Sequence, residues 1–202
     1  MLYFNTVNEL LKSILIKLMA AKEFSQFRLV GGTALSLQIG HRESIDIDLF
    51  SDVDYGTLNF NEIEDFLKSN FKYVDFLDVP SAMGKAYFIG ENKDNTVKLD
   101  VFYTDTYIQP YIEEEGIRMA TIEEIIAMKV DIIQRGGRKK DFWDLHALLD
   151  SYSITQMIEL HEQRYPYTHN KDLIIQNFTN FDQADDDFDP ICYKGKYWEF
   201  IK

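Results

Sequence analysis

The 202-residue chain has a single cysteine, Cys192, so neither a disulfide framework nor a cysteine-based zinc site can form within one copy. Long apolar runs are also lacking. The apolar stretch from Met1 to Ala20 is interrupted by Asn5, Asn8, Glu9, Lys12, Ser13 and Lys17 in a helical pattern, which excludes a signal peptide and a membrane span. Positive charge is scarce: 21 Lys and Arg stand against 34 Asp and Glu, for a net charge of -13. A protein that grips nucleic acid by its phosphates usually carries a basic face, so this balance argues against the simplest RNA-binding design. No internal repeat or low-complexity linker divides the chain. Together these features predict a cytoplasmic globular protein with an ordinary packed core.

The most informative stretch runs from Leu29 to Phe50. Leu29-Val30 is a short apolar run that leads into Gly31-Gly32-Thr33 and a helical segment. Unpaired backbone N–H groups at such a helix start can point at phosphate oxygens, and Gly31 and Gly32 supply the backbone freedom and close approach the turn needs. Ser44-Ile45-Asp46-Ile47-Asp48-Leu49-Phe50 follows as an apolar, β-branched strand. Period two puts Asp46 and Asp48 on one face and Ile45, Ile47 and Leu49 on the other. A third carboxylate, Asp100, lies in the period-two strand Thr96 to Tyr103. Three oxygen ligands of this kind favour Mg2+ or Mn2+, which keep several waters and take further ligands from substrate phosphates. A glycine turn or an Asp-x-Asp pair alone has ordinary structural uses; their order and spacing carry the reading. Asp52 and Asp54 fall after the strand and read as loop carboxylates ahead of Gly56.

The remaining pattern predicts an α+β fold: a mixed β-sheet with flanking helices over 1–118, then a C-terminal helical bundle and acidic tail over 119–202. Helices are expected at 5–22, 33–40, 61–69, 122–135, 139–150, 153–165 and 170–178, and strands near 27–30, 44–50, 71–78, 84–90 and 96–103. Pro80-Ser81 separates two of these strands, and Thr121 with Glu124 reads as a capping box. Lys129 emerges beside the apolar stripe of its helix, either snorkelling or held over an anion. Asp141 and Asp144 are three apart and share a helix face, where either could orient Lys129 or Arg138. Arg135, Arg138, Lys139 and Lys140 crowd one short turn, which suits a positive patch against triphosphate or RNA. Arg42 is placed to contact a phosphate or to fix an acidic ligand, and His41 reads as structural. The tail through Asp182, Asp185, Asp186, Asp187 and Asp189 reads first as a solvated or packed end, with docking on the basic turn or on a cationic partner as the alternatives.

Gly31-Gly32-Thr33, His41-Arg42-Glu43-Ser44 and Asp46-x-Asp48 resemble the first motif of the DNA polymerase β-like nucleotidyltransferase superfamily, most closely its AbiEii/AbiGii toxin branch. Ala127-Met-Lys129-Val-Asp131 and the run Gln134 to Leu149, with Arg138-Lys-Lys-Asp141-Phe-Trp-Asp144-Leu, resemble that branch's helical signature. The resemblance covers the chain to about residue 150. It implies a nucleotidyltransferase fold in which Gly31, Gly32, Thr33, Arg42, Ser44, Arg138 and Asp141 face the nucleotide and Lys129 meets the triphosphate.

On this reading Asp46, Asp48 and Asp100 hold divalent metal, and the acceptor hydroxyl attacks the α-phosphorus of a nucleoside triphosphate while Lys129 stabilises the pyrophosphate. The resemblance further implies the toxin of a bacterial toxin–antitoxin or phage-defence pair, acting on tRNA or other RNA, with a cognate antitoxin. Two other readings stand beside it. One is transfer to a small molecule such as an aminoglycoside, or to a protein side chain, which the acidic balance suits better. The other is an inert nucleotide-binding module.

Overall fold

A computed structural model describes residues 1–76 and 83–202. The expected turn at Pro80-Ser81 and the end of the strand at 71–78 lie outside them. A 3₁₀ turn at Phe4–Thr6 precedes helix α1 (Glu9–Met19), whose start is fixed by Asn8 accepting the Leu11 N–H at 2.8 Å. That cap, and a second 3₁₀ turn at Lys22–Phe24, make α1 shorter than the apolar pattern suggests. Strand β1 (Arg28–Leu29) runs directly into α2 (Gly31–Ile39), and β2 (Asp46–Ser51) returns antiparallel beside it. Then come α3 (Phe60–Asn70), β3 (Tyr73–Phe76), β4 (Gly84–Asn92) and β5 (Asn95–Tyr103). A hairpin of β6 (Ile112–Glu114) and β7 (Ile117–Met119), absent from the sequence reading, completes a seven-stranded mixed sheet in the order β3-β4-β5-β2-β1-β7-β6. Three-residue strands are too short to show a period, and so left no pattern to read.

The register of β2 on β5 positions everything that follows. The two strands are parallel, with Asp46 opposite Lys98, Asp48 opposite Asp100 and Leu49 opposite Val101. Strand alternation then sends Ile47, Leu49, Leu99 and Val101 into the core, where all four are fully buried, and leaves the carboxylates on the other face. Ile45 breaks the expected alternation. It precedes β2 and is 62% exposed, because pairing begins only at Asp46. Helix α1 packs across β7, β2 and β5 with Leu11, Ile14, Leu15 and Leu18 buried, each such side chain contributing about 1.5–3 kcal/mol.

The helical half comprises α4 (Ile122–Gln134), α5 (Lys139–His146), α6 (Ile154–Arg164), α7 (Lys171–Asn177) and α8 (Trp198–Ile201). The change of class falls after Met119, and α2 contacts both α4 and α5, so one hydrophobic cluster runs through both halves. Only half of the expected box at Thr121 forms. Thr121 accepts the Glu124 N–H, but the Glu124 carboxylate turns to the Gln109 N–H and to Arg164, both at 2.6 Å. Gly136 and Gly137 end α4 as expected, with φ of 114° and 69°. Helix α5 stops at His146, four residues short of the expected end.

The C-terminal segment is anchored to the helical half at several points while its carboxylates stay exposed. Lys139 is buried, and its ammonium meets Asp189 at 2.9 Å and the carbonyls of Asp185 and Asp187, while its N–H donates to Asp187 at 3.0 Å. Trp198 stacks on Trp143 with ring centroids 6.4 Å apart and donates to Asp185 at 2.6 Å. The chain then pairs with the segment ahead of β2: Glu43 N–H donates to the Ile191 carbonyl and Tyr193 N–H to that of His41, each at 2.9 Å.

Candidate active site

Asp46, Asp48 and Asp100 share one face of the sheet, as their strands require, but each is in a different state. Asp46 has Lys140 of α5 at 3.8 Å, and Asp100 is ion-paired to Lys98, two residues back on its own strand. Asp48, between them, has no cation or hydrogen-bond donor on its carboxylate among the described residues. Burial first, then repulsion from Asp100 and Asp46, pushes its carboxyl up to about 6. One oxygen of Asp100, Oδ1, is buried without a partner among the described residues. A carboxylate that Lys140 and Lys98 compensate only in part, beside an orphaned carboxylate oxygen, fits a divalent cation. Among the described residues no three His, Cys, Asp or Glu gather tightly enough to enclose an ion alone, so such an ion would complete its shell with water and phosphate oxygens.

The glycine turn lies against this pair. Gly31 has φ of 67°, and a Cβ built on it would stand 2.6 Å from Asp48 Oδ2. A Cβ on Gly32 would run into Arg42 Nη2. No side chain caps α2, so the first N–H groups of the helix remain available next to Asp48. Thr33 is turned inward: its hydroxyl meets Ser44 Oγ at 2.8 Å and donates to the Asp46 carbonyl, pinning the helix start to β2. The Thr33 and Ser44 side chains are thus buried supports of the turn, and phosphate contact there would fall to backbone N–H groups.

Behind the turn is a buried ionic network. Arg42 donates through Nε to Asp144 Oδ1 at 2.6 Å and through Nη2 to Oδ2 at 2.8 Å. Lys129 lies between Asp141 and Asp144, 2.7 Å from each, and Arg138 reaches Asp141 at 3.2 Å. Arg42, Lys129, Asp141 and Asp144 are all nearly inaccessible. Burial alone would raise the Asp144 carboxyl, but Arg42 and Lys129 outweigh it and hold the group well below the carboxylate range. Burial likewise works against Lys129, and Asp141 and Asp144 reverse it. Of the two roles open to Arg42, the geometry has it fixing an acid. Lys129 is not a free cation over a ligand, because a charge this deeply buried needs its paired carboxylates.

A family model described as nucleotidyl transferase AbiEii toxin, type IV TA system, matches residues 13–201. The chain belongs to this family. An uncharacterized protein from Aquifex aeolicus (strain VF5) is 26% identical over 195 residues, covering 88% of this chain and 84% of the relative. Among solved structures, a candidate nucleotidyltransferase from H. pylori superposes with a TM-score of 0.58 at 22% identity, over 95% of this chain and 86% of that one. JHP933 from Helicobacter pylori gives 0.54 at 22% identity, over 89% and 82%. A nucleotidyltransferase-like protein from Paracoccidioides brasiliensis gives 0.50 at 16% identity, over 86% and 94%. The fold is that of nucleotidyltransferases, and the AbiEii match takes in the docked C-terminal segment as well as the sheet.

In this AbiEii chain two residues join the site that sequence reasoning did not single out. Lys98 was legible in principle, since it stands at i−2 from Asp100 on the same strand face. Lys140 was seen only as part of a basic turn, which the structure divides among separate tasks. Arg135 pairs with Asp131 on the surface, Arg138 with Asp141, Lys139 with the tail and Lys140 with Asp46. A cavity of about 260 Å³ opens beside Asp46 and Lys140, walled by Ser44, Ile45, Phe188 and Ile191.

Proposed function

We propose that this chain transfers a nucleoside monophosphate from a nucleoside triphosphate to an acceptor hydroxyl, with Mg2+ or Mn2+ held by Asp48 and Asp100 and supported by Asp46. The observation that carries this reading is the placement of Asp48: opposite Asp100, unpaired among the described residues, and against the uncapped start of α2. When bound, the metal supplies charge neutralisation and lowers the pKa of a coordinated hydroxyl. The chain's own residues do the rest. The α2 N–H groups receive phosphate oxygens, which the helix dipole favours. Lys140, 40% exposed at its side chain, is the cation able to swing from Asp46 onto a phosphate. The Arg42–Asp144–Lys129 network holds α5, and with it Lys140, against the glycine turn.

The family description implies a toxin role and a cognate antitoxin. Phage defence and a tRNA or other RNA acceptor extend that reading. The net charge of -13 favours a second acceptor class, a cationic small molecule or protein side chain. One experiment separates them: purified protein, Mg2+ or Mn2+ and each of four α-labelled triphosphates, with total bacterial RNA and without it. Label in RNA that disappears with Asp46→Ala supports the RNA reading. No transfer to RNA, protein or small-molecule acceptors by a correctly folded wild-type chain would favour an inert nucleotide-binding module.

A further inference from the structure

Two lysines answer the three carboxylates of the sheet face, and they do so unequally. Lys98 is ion-paired to Asp100 through Oδ2, whereas Lys140 stands 3.8 Å from Asp46, beyond hydrogen-bond reach. Period two along β5 puts Lys98 and Asp100 on the same face. Across the sheet, Lys98 has Asp46 directly opposite on β2 and Phe88 opposite on β4. Two residues back along its own strand is Thr96. Of these adjacent positions only Asp46 offers Lys98 a second carboxylate, one strand spacing of about 4.8 Å away. The Lys98 side chain is 34% exposed, so its ammonium can change partner through water without opening the core.

This pairing conflicts with metal on Asp100. Oδ1 of Asp100 is the oxygen without a partner among the described residues, and Oδ2 is the one Lys98 holds. Both oxygens belong to one carboxyl group, so a divalent cation on Oδ1 and an ammonium on Oδ2 would be like charges at close range. Asp46 relieves the conflict, because the lysine beside it is the looser of the two. We infer that Lys98 holds the metal's place at Asp100, and that the arriving cation drives its ammonium across to Asp46, which releases Lys140 of α5 for the triphosphate. The inference rests on the reading of Asp48 and Asp100 as a metal clamp. It gives that site an order, with metal first and then the lysine that meets the nucleotide.

The test uses the full chain with Mn2+ and no nucleotide. Bound metal is read from the loss of the free Mn2+ signal in electron paramagnetic resonance, and the state of Lys140 from its acylation rate, resolved by mass spectrometry. Lys98→Met is expected to bind Mn2+ about tenfold more tightly than wild type. Lys98→Gln should change in the same direction, and it carries the test if Lys98→Met melts markedly lower. Lys98→Arg, which keeps the charge, should bind no more tightly than wild type. Saturating metal should raise the Lys140 acylation rate severalfold in wild type, and Lys98→Met should lose most of that rise because no ammonium arrives at Asp46. This second readout separates exchange from the gain in affinity that removing any nearby positive charge gives. Unchanged Mn2+ affinity in both neutral variants, or an equal rise at Lys140 in wild type and Lys98→Met, would overturn the exchange and leave the clamp standing. No Mn2+ bound by wild type or by any variant would overturn the clamp itself, and the exchange with it.

Discussion

Arg42 grips both oxygens of Asp144 across 102 positions of sequence, tying the segment ahead of the carboxylate strand to the middle of α5. Asp144 also takes Lys129 and His41, so it is the one acid on which three buried groups depend. Removing it leaves buried positive charge without compensation. Asp144→Ala is predicted to cost about 3–5 kcal/mol of unfolding free energy. Arg135→Ala, which breaks an exposed pair with Asp131, should cost under about 1 kcal/mol. Urea denaturation of both variants checks the contrast, and equal losses would remove the network from the account.

Gly31 is constrained twice, by its φ of 67° and by Asp48 Oδ2 at 2.6 Å from where a Cβ would stand. Gly31→Ala is therefore expected to displace Asp48 or the helix start, with stability lowered by about 1–2 kcal/mol and nucleotide transfer reduced far more than that loss explains. The comparison is transfer rate against melting temperature. Unimpaired transfer would show that the glycine turn does not border the reacting groups.

Burial, outweighing the opposing pull of Asp144, holds His41 below its ordinary value of 6.5. The unfolded chain thus binds a proton there more readily than the folded one, so the stability His41 contributes is present above about pH 6.5 and is lost as pH falls below it. Wild-type protein should lose more stability between pH 7.5 and 5.5 than His41→Gln does. Parallel losses in the two proteins would mean that His41 is not held neutral.

Much of this was legible in the sequence, and the reason is geometric. Asp46, Asp48 and Asp100 lie on period-two strands whose alternate residues are strongly apolar, so the face of each carboxylate follows from the spacing. The glycine turn and the break at Gly136-Gly137 were readable because backbone conformation there depends on residue type alone. What could not be read depends on long-range pairing. Lys129, Asp141 and Asp144 stood out by position, yet their mutual neutralisation, with Arg42, needs the packing of α2 on α5. For the acidic tail, read first as a solvated or packed end with docking on the basic turn as an alternative, the structure combines packing with contacts of Asp185, Asp187 and Asp189 to Lys139, and a charge run shows no sign of the buried lysine that receives it.

Three carboxylates on one face repel one another, so replacing the unpaired one should relieve the fold while ending its chemistry. A one-unit carboxyl shift corresponds to about 1.4 kcal/mol, and Asp48→Asn is predicted to stabilise the metal-free protein by about 1–2 kcal/mol after allowing for partial exposure. Added Mg2+ or Mn2+ should raise the wild-type melting temperature and leave the variant unmoved. A variant less stable than wild type would show that Asp48 is held by contacts that favour its charge.

The central claim is that Asp48 and Asp100, from different strands, form one clamp for metal and triphosphate. Its most direct measurement is transfer of α-labelled nucleotide by wild type, Asp48→Asn and Asp100→Asn under identical metal and acceptor conditions, with folding confirmed by melting. Both variants should fall by about a thousandfold or more, the scale of removing one preorganised electrostatic element from a phosphoryl-transfer site. Transfer retained within a few fold by either folded variant would contradict the claim.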